Sequence, residues 1–182
     1  LLFKEIKMVE LYNVNIGEEE LQKIVSVCHD FKGKPSLSKL WEMKHFSIFE
    51  YVQFIFYIET EIFVARQLFR YRTATPTEKS LRYTKPTIRT PKTFGGIDFI
   101  EQLYTDINTS YEKLIELGYN KEDARMIVPL STETKFFFRI DMRNLYHLLE
   151  ERLDKHTQKE TRKIAEQMLC NLPEWIKNIY KL

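Results

Sequence analysis

Residues 51–59 read Tyr-Val-Gln-Phe-Ile-Phe-Tyr-Ile-Glu, with Gln53 the sole polar interruption before the closing glutamate. A short run so rich in β-branched and aromatic residues predicts a strand buried on both faces or nearly so. Upstream, residues 6–14 (IKMVELYNV) predict a first strand. Asn15 to Phe31 then predicts a helix with Leu21, Ile24, Val25 and Cys28 on one face. A Gly-Lys-Pro break at 33–35 precedes a short helical stretch around Trp41. Downstream, Thr60 is expected to cap a helix carrying Phe63, Val64, Arg66 and Gln67.

Residues 70–93, with Pro76, Pro86, Pro91 and many Thr, read as extended or looped chain. Helix returns at 97–117, where Ile97, Ile100, Tyr104, Ile107, Tyr111 and Leu114 step by three and four and Gly118 follows as the C′ residue. Asn120 can cap a short helix stopped by Pro129. Phe136, Phe138 and Ile140 alternate with Lys135, Phe137 and Arg139, the period of a strand. Helices fill 143–170, and Pro173 is expected at the first position of a last one. The pattern is α+β: a single domain over 1–182, with a central, mostly antiparallel sheet flanked by long helices.

With 182 residues, 43% of them hydrophobic and 14% aromatic, the chain is neither a disordered tail nor in need of a metal or disulfide to hold a core. Its five glycines, at 17, 33, 95, 96 and 118, fit neither common Gly-rich phosphate loop. Cys28 and Cys170 form no C-x-x-C motif, which implies a reducing compartment and two core cysteines. No apolar run approaches the roughly 18 residues of a membrane span, and the first residues lack a basic-then-apolar signal region. A cytoplasmic location is expected. The chain opens on Leu1 rather than Met, so the natural start is expected to be missing or altered.

The net charge of +2 conceals an uneven distribution. Between Arg66 and Lys92 stand Arg66, Arg70, Arg72, Lys79, Arg82, Lys85, Arg89 and Lys92 against one acid, Glu78, so this window carries +7 and the remaining 155 residues −5. Such a cluster suggests an anionic partner. Arg70 and Arg72 are two apart, as are Glu78, Ser80 and Arg82, and in extended chain residues so spaced point the same way. The stretch thus offers guanidinium forks for phosphate, a hydroxyl, and a carboxylate for a ribose or base edge. Two other readings stay open at this point. The window could be a solvated basic loop, or it could bind single-stranded nucleic acid, with Phe69, Tyr71 and Tyr83 stacking bases between arginines.

Within QLFRYRTATPTEKSLRY, Arg70-Tyr71-Arg72, seven residues and then Ser80 resemble the Arg-His-Arg, seven residues, Ser signature of the flavin-dependent thymidylate synthases. Residues 45–58 (HFSIFEYVQFIFYI) resemble that family's His-x-Ser/Thr-x-x-Glu segment and following strand. Residues 124–129 (ARMIVP) resemble its Ala-Arg-x-x-x-Pro element, and 141–160 (DMRNLYHLLEERLDKHTQKE) its Asn-x-Arg-x-Leu helix, catalytic Arg and Ala-Gln-x-Glu tail. These blocks stand in family order over roughly 45–162.

The resemblance implies reductive methylation of dUMP to dTMP, with 5,10-methylenetetrahydrofolate as carbon donor, FAD as hydride carrier and NADPH as reductant. It also implies a homotetramer with shared active sites, and no enzyme cysteine attacking the pyrimidine. On this reading the partners are dUMP, folate and nicotinamide nucleotide, with neither nucleic acid nor membrane. By motif position Gln67, Arg70, Glu78, Ser80 and Arg82 would contact dUMP, joined at the phosphate end by Arg125 from another subunit. Arg152 would be the catalytic residue, binding the pyrimidine edge and favouring its ionised N3 form. Ser47, Arg70, Tyr71, Arg72, Glu78, Asp141, Met142, Arg143 and His147 would hold FAD. Arg143 and His147 are four apart and would share one helix face. Ser80 has no accompanying His or Lys base in the motif and is assigned to binding.

Three positions depart from the family pattern. Tyr71 stands for the usual His, keeping an aromatic body and a polar tip while losing a group that titrates near neutrality. Asp141 and His147 stand where Asn is commoner, so the flavin's hydrogen-bonding environment is expected to differ in charge.

Each of these residues also has a bland reading. His45 reads either as a satisfied core histidine or as a wall of the cofactor pocket, and His29 as structural. His147 and His156 are nine apart, and no metal site is expected. Arg152, among Glu150, Glu151 and Asp154, reads by itself as a surface ion pair. Arg125 reads as an exposed helix residue, and Phe136, Phe137 and Phe138 as core and interface.

Overall fold

A computed structural model describes residues 8–29 and 33–182, without the side chains of Cys28 and His29. The expectations for residues 6–7 and 30–31, and for the Cys28 and His29 side chains, lie outside what it describes. The chain opens with β1 (Val9–Val14), α1 (Glu18–His29), α2 (Leu37–Glu42) and a 3-10 turn at Phe46–Tyr51. There follow β2 (Gln53–Glu61), α3 (Ile62–Leu68), β3 (Thr75–Glu78) and a 3-10 turn at Lys92–Phe94. After α4 (Asp98–Glu116), α5 (Lys121–Ala124) and a 3-10 turn at Arg125–Ile127 come β4 (Glu133–Asp141), α6 (Met142–Arg152), α7 (Lys159–Asn171) and α8 (Glu174–Tyr180).

The fold is α+β around a four-stranded antiparallel sheet of order β1-β2-β4-β3. On β2, Phe54, Phe56, Ile58 and Thr60 are buried, while Gln53, Ile55, Tyr57 and Glu59 between them are half-buried. The quoted run is therefore an alternating strand with one sealed face, because the other face lacks a full cover. β1 pairs antiparallel with β2, Val9 opposite Ile58 and Val14 opposite Phe54, with a register shift between Leu11 and Asn13. Tyr12 is the extra residue of that bulge and is exposed.

By compactness the chain divides into two units. One comprises Leu1–Ile58, Leu68–Thr77 and Phe137–Leu182; the other comprises Glu59–Gln67 and Glu78–Phe136. In the first unit α6 turns Leu145, Leu148 and Leu149 inward, and α7 turns Thr161, Ile164, Ala165 and Met168 inward, each at helical spacing. Trp41 gathers an aromatic cluster, with ring centroids 4.8 Å from Phe46, 4.9 Å from Phe49, 5.1 Å from Tyr146 and 5.3 Å from Tyr180. The buried Tyr180 hydroxyl donates to the Met142 carbonyl at 2.5 Å, and Asn171 donates to the Val9 carbonyl at 3.2 Å.

In the second unit Ile62 and Phe63 donate backbone N–H groups to Thr132 and Leu130. The Tyr104 hydroxyl bonds that of Ser131. Along α4, Tyr111 is buried while Ile100, Tyr104, Ile107 and Leu114 are half-buried. Gly118 follows α4 at φ +89°, the left-handed conformation a C′ residue needs. Asn120 caps α5 by accepting from Asp123 N–H at 2.9 Å.

Four local expectations change. Thr60 lies inside β2 and does not cap α3, because the strand runs on to Glu61. Pro173, at ψ 145°, precedes α8 as its N-cap, outside the first helical position. Cys170 is exposed on α7 and is no core residue, since Met168 and Ala165 take the inward face. Phe136 and Phe138 are buried, but Phe137 points to the opposite face of β4 and is exposed.

Candidate active site

The Arg70-Tyr71-Arg72 signature lies in a tight turn after α3. Tyr71 N–H donates to the Leu68 carbonyl at 3.1 Å, and Ala74 N–H to the Tyr71 carbonyl at 3.0 Å. Of the extended or looped chain expected from residue 70, this stretch is looped, because the helix end satisfies its last carbonyls by folding the chain back. The turn drives Tyr71 inward to 9% exposure and leaves Arg70 and Arg72 exposed on either side. Among the described residues neither arginine makes a side-chain hydrogen bond or ion pair. Both keep their full donor sets for an anion.

α6 meets this turn from the other end of the sequence. The Tyr71 hydroxyl donates to Glu151 at 2.5 Å. The Arg152 guanidinium lies 5.3 Å from the Tyr71 ring centroid, and the His147 ring 6.2 Å from it, edge-on. Glu151 also faces His147 Nε2 at 3.5 Å and Arg152 Nη2 at 3.9 Å. Burial, reinforced by the bond to Glu151, pushes the Tyr71 phenol well above its ordinary range. The same bond holds the Glu151 carboxyl below the usual carboxylate range. At neutral pH the pair is a neutral donor facing an anion.

Arg152 ends α6 with its side chain 23% exposed and its Nε buried without a hydrogen-bond partner among the described residues. In the first turn of α6, Arg143 pairs with Glu50 at 2.7 Å and lies 5.8 Å over the ring of Phe46, whose neighbour in sequence, Ser47, is exposed. His45 is exposed too, which removes the core-histidine reading. Asp141 caps α6: one carboxylate oxygen accepts from Asn144 N–H at 2.9 Å, the other from Asn144 Nδ2 at 2.6 Å. Met142 is fully buried, with its N–H given to the Val52 carbonyl at 2.9 Å. Of the residues singled out from sequence, it is the one with no surface to offer a ligand.

In the second unit Glu78 is exposed at the end of β3 and accepts from the Thr134 hydroxyl at 2.7 Å. Ser80 opens a turn, its carbonyl taking N–H bonds from Tyr83 at 3.2 Å and Thr84 at 3.1 Å. Ser80 and Arg82 therefore do not lie along extended chain. Arg82 reaches Glu122 at 3.2 Å, and Arg125 Nε donates to the Glu122 carbonyl at 3.2 Å, so Glu122 gathers both arginines. Gln67 is half-buried near the end of α3. Lys85 pairs with Glu112 at 2.5 Å and Arg89 with Glu133 at 3.3 Å. Arg82, Lys85 and Arg89 of the +7 window thus have acidic partners. Arg66, Arg70, Arg72 and Lys92 are exposed and hold no such partner among the described residues, and of these Arg70 and Arg72 flank the buried Tyr71.

Glu151, Glu50 and Glu122 were not among the residues singled out for the site. A signal existed for Glu151, four residues after His147 on one helix face; for the other two the pairing is tertiary. No helix of the described residues is long and apolar enough to cross a membrane.

Residues 7–176 match the family described as thymidylate synthase complementing protein. Relatives named flavin-dependent thymidylate synthase include one from Thermosipho melanesiensis, 34% identical over 74% of this chain and 69% of its own length. Another, from Thermotoga neapolitana, is 37% identical over 85% of this chain and 72% of its own length. A third, from Dictyostelium discoideum, is 33% identical over 72% of this chain and 51% of its own length. The chain thus spans from about half to about seven tenths of the length of these relatives. Both motifs that meet around Tyr71 lie inside the matched region, and the chain belongs to the thymidylate synthase complementing protein family.

Proposed function

We propose that this protein is a flavin-dependent thymidylate synthase that methylates dUMP to dTMP with 5,10-methylenetetrahydrofolate, FAD and NADPH, acting over residues 1–182 as one catalytic domain. The observation that carries this reading is the stacking of Arg152 on Tyr71 at 5.3 Å, which joins the signature to the α6 helix across 81 positions. The names of the relatives support the reaction class.

The residues present fit a flavin dinucleotide. Arg70 and Arg72 are exposed beside an aromatic ring and hold no acidic partner among the described residues, which suits a pyrophosphate. Arg143 and His147 are exposed one turn apart on α6, and Arg143 lies over the ring of Phe46, next in sequence to Ser47. Arg70, Arg72, Arg143, His147 and Ser47 would hold the cofactor, with Tyr71 lending its ring and Glu78 a carboxylate. FAD, when bound, carries hydride from the nicotinamide to the pyrimidine.

The chain's own residues bind and polarise. Arg152 holds the pyrimidine edge and stabilises negative charge at N3; a fixed cation in a partly desolvated site does this without solvent reorganisation. Arg70, Arg82 and Arg125 take the nucleotide phosphate, while Gln67, Glu78 and Ser80 hold sugar and base by hydrogen bonds. Asp141 supports the site through the helix it caps. On this reading no cysteine acts as nucleophile; Cys170 is exposed on α7 and belongs to none of these groups. The full pocket assembles in a homotetramer, with Arg125 reaching a neighbouring subunit's nucleotide.

The test is dTMP formation by purified protein from dUMP, methylenetetrahydrofolate and NADPH, with flavin absorbance followed on reduction. Yellow protein that bleaches with NADPH and yields dTMP is expected. A colourless protein that fails to take up added FAD would overturn the reading.

A further inference from the structure

We propose that Glu151 and Tyr71 act as one positioning pair that aims Arg152 at the pyrimidine, an inference that rests on the reading of Arg152 as the pyrimidine-binding residue. Arg152 needs such help. It is the last residue of α6, its Nε has no hydrogen-bond partner among the described residues, and a free arginine side chain keeps about 2 kcal/mol of rotamer entropy. Two groups restrain it. The Tyr71 ring lies 5.3 Å beneath the guanidinium, within cation–π range. Glu151 stands 3.9 Å from Nη2, too far for a hydrogen bond but close enough for attraction.

That separation matters for function. A bidentate carboxylate would occupy the fork, whereas one at 3.9 Å orients the cation and leaves the donors of that nitrogen for a ligand. Glu151 is itself long and 46% exposed, so it too must be held. The Tyr71 hydroxyl does so at 2.5 Å, with His147 Nε2 at 3.5 Å on the other carboxylate oxygen. Tyr71 is held in turn by burial and by the backbone turn that follows Leu68. Restraint passes from a main-chain turn through the phenol to Glu151, and through the ring and Glu151 to Arg152. A phenol serves both ends at once, its face for the guanidinium and its tip for the carboxylate.

The experiment compares wild type, Tyr71→Phe, Glu151→Ala and the double variant, measuring dUMP binding by calorimetry and the KM of each substrate. Tyr71→Phe keeps the ring and loses the hydroxyl, and Glu151 is exposed enough for its truncation to leave the fold intact. Each single variant is expected to bind dUMP roughly ten-fold more weakly, the scale of a hydrogen bond to a charged group. The double variant should fall no more than about two-fold further, since both changes break one unit. KM for dUMP should rise in parallel while KM for the folate substrate stays put, a split that general loosening of the fold would not produce.

Unchanged dUMP affinity in both single variants, or independent multiplicative losses, would overturn the positioning role. If those results came with dUMP affinity that Arg152→Ala still abolishes, the enzyme reading would stand and this inference alone would fall. A wild-type protein that binds no dUMP at all would remove both.

Discussion

The Tyr71 hydroxyl donates to Glu151 at 2.5 Å, tying the turn after α3 to the end of α6 across 80 positions of sequence. That bond holds the Glu151 carboxyl below the ordinary carboxylate range. Its contribution to stability is therefore complete above the unfolded value of roughly 4.3 and is lost as the pH falls through the lower folded value. Tyr71→Phe should move the Glu151 titration upward in a carboxyl-carbon NMR experiment. Identical titrations in the two proteins would show that the phenol does not govern this carboxylate.

Arg152→Ala should abolish dTMP formation while leaving bound flavin largely in place, because the side chain reaches the Tyr71 ring rather than the exposed Arg70 and Arg72. Product assay and the flavin absorbance of the purified variant check this together. Unimpaired turnover would refute the role of Arg152.

Tyr71→His restores the residue usual in the family, and FAD binding is expected to be retained or tighter, read from a fluorescence titration of apoprotein with FAD. Loss of flavin from that variant would mean that Tyr71 is matched to this chain and is not a tolerated departure.

Asp141 caps α6 with both carboxylate oxygens. Asp141→Ala should cost about 1 kcal/mol of stability, whereas Asp141→Asn keeps an acceptor for Asn144 N–H and should cost a few tenths. Urea denaturation curves give both values. Equal losses in the two variants would argue against a capping role.

Trp41 touches four aromatic rings in the first unit and is 7% exposed. Its truncation to Ala should cost about 3–5 kcal/mol, the range for large aromatic side chains removed from a packed core. A shift below about 1 kcal/mol would mean that α2 and α8 contribute little to that unit's stability.

Local pattern determined much of this protein. The period-two run on β4, the three-and-four spacing along α4, the Asn120 cap and Gly118 are each readable within a dozen residues, because backbone geometry and burial act on near neighbours. The motif blocks were legible too, and with them the family. What sequence could not decide is where long side chains go. Tyr71 read as one aromatic between two arginines; only the turn after Leu68 and the approach of α6 bury it and hand its hydroxyl to Glu151. Ser80 and Arg82 read as extended neighbours, yet a turn at Ser80 separates them and Glu122 takes the arginine. Arg152 read alone as a surface ion pair, and its place on the Tyr71 ring depends on a partner 81 positions away. Hydrophobic periodicity specifies faces, but a charged or phenolic side chain takes its partner from whatever the packed elements bring within a few ångströms, and that is decided only in three dimensions.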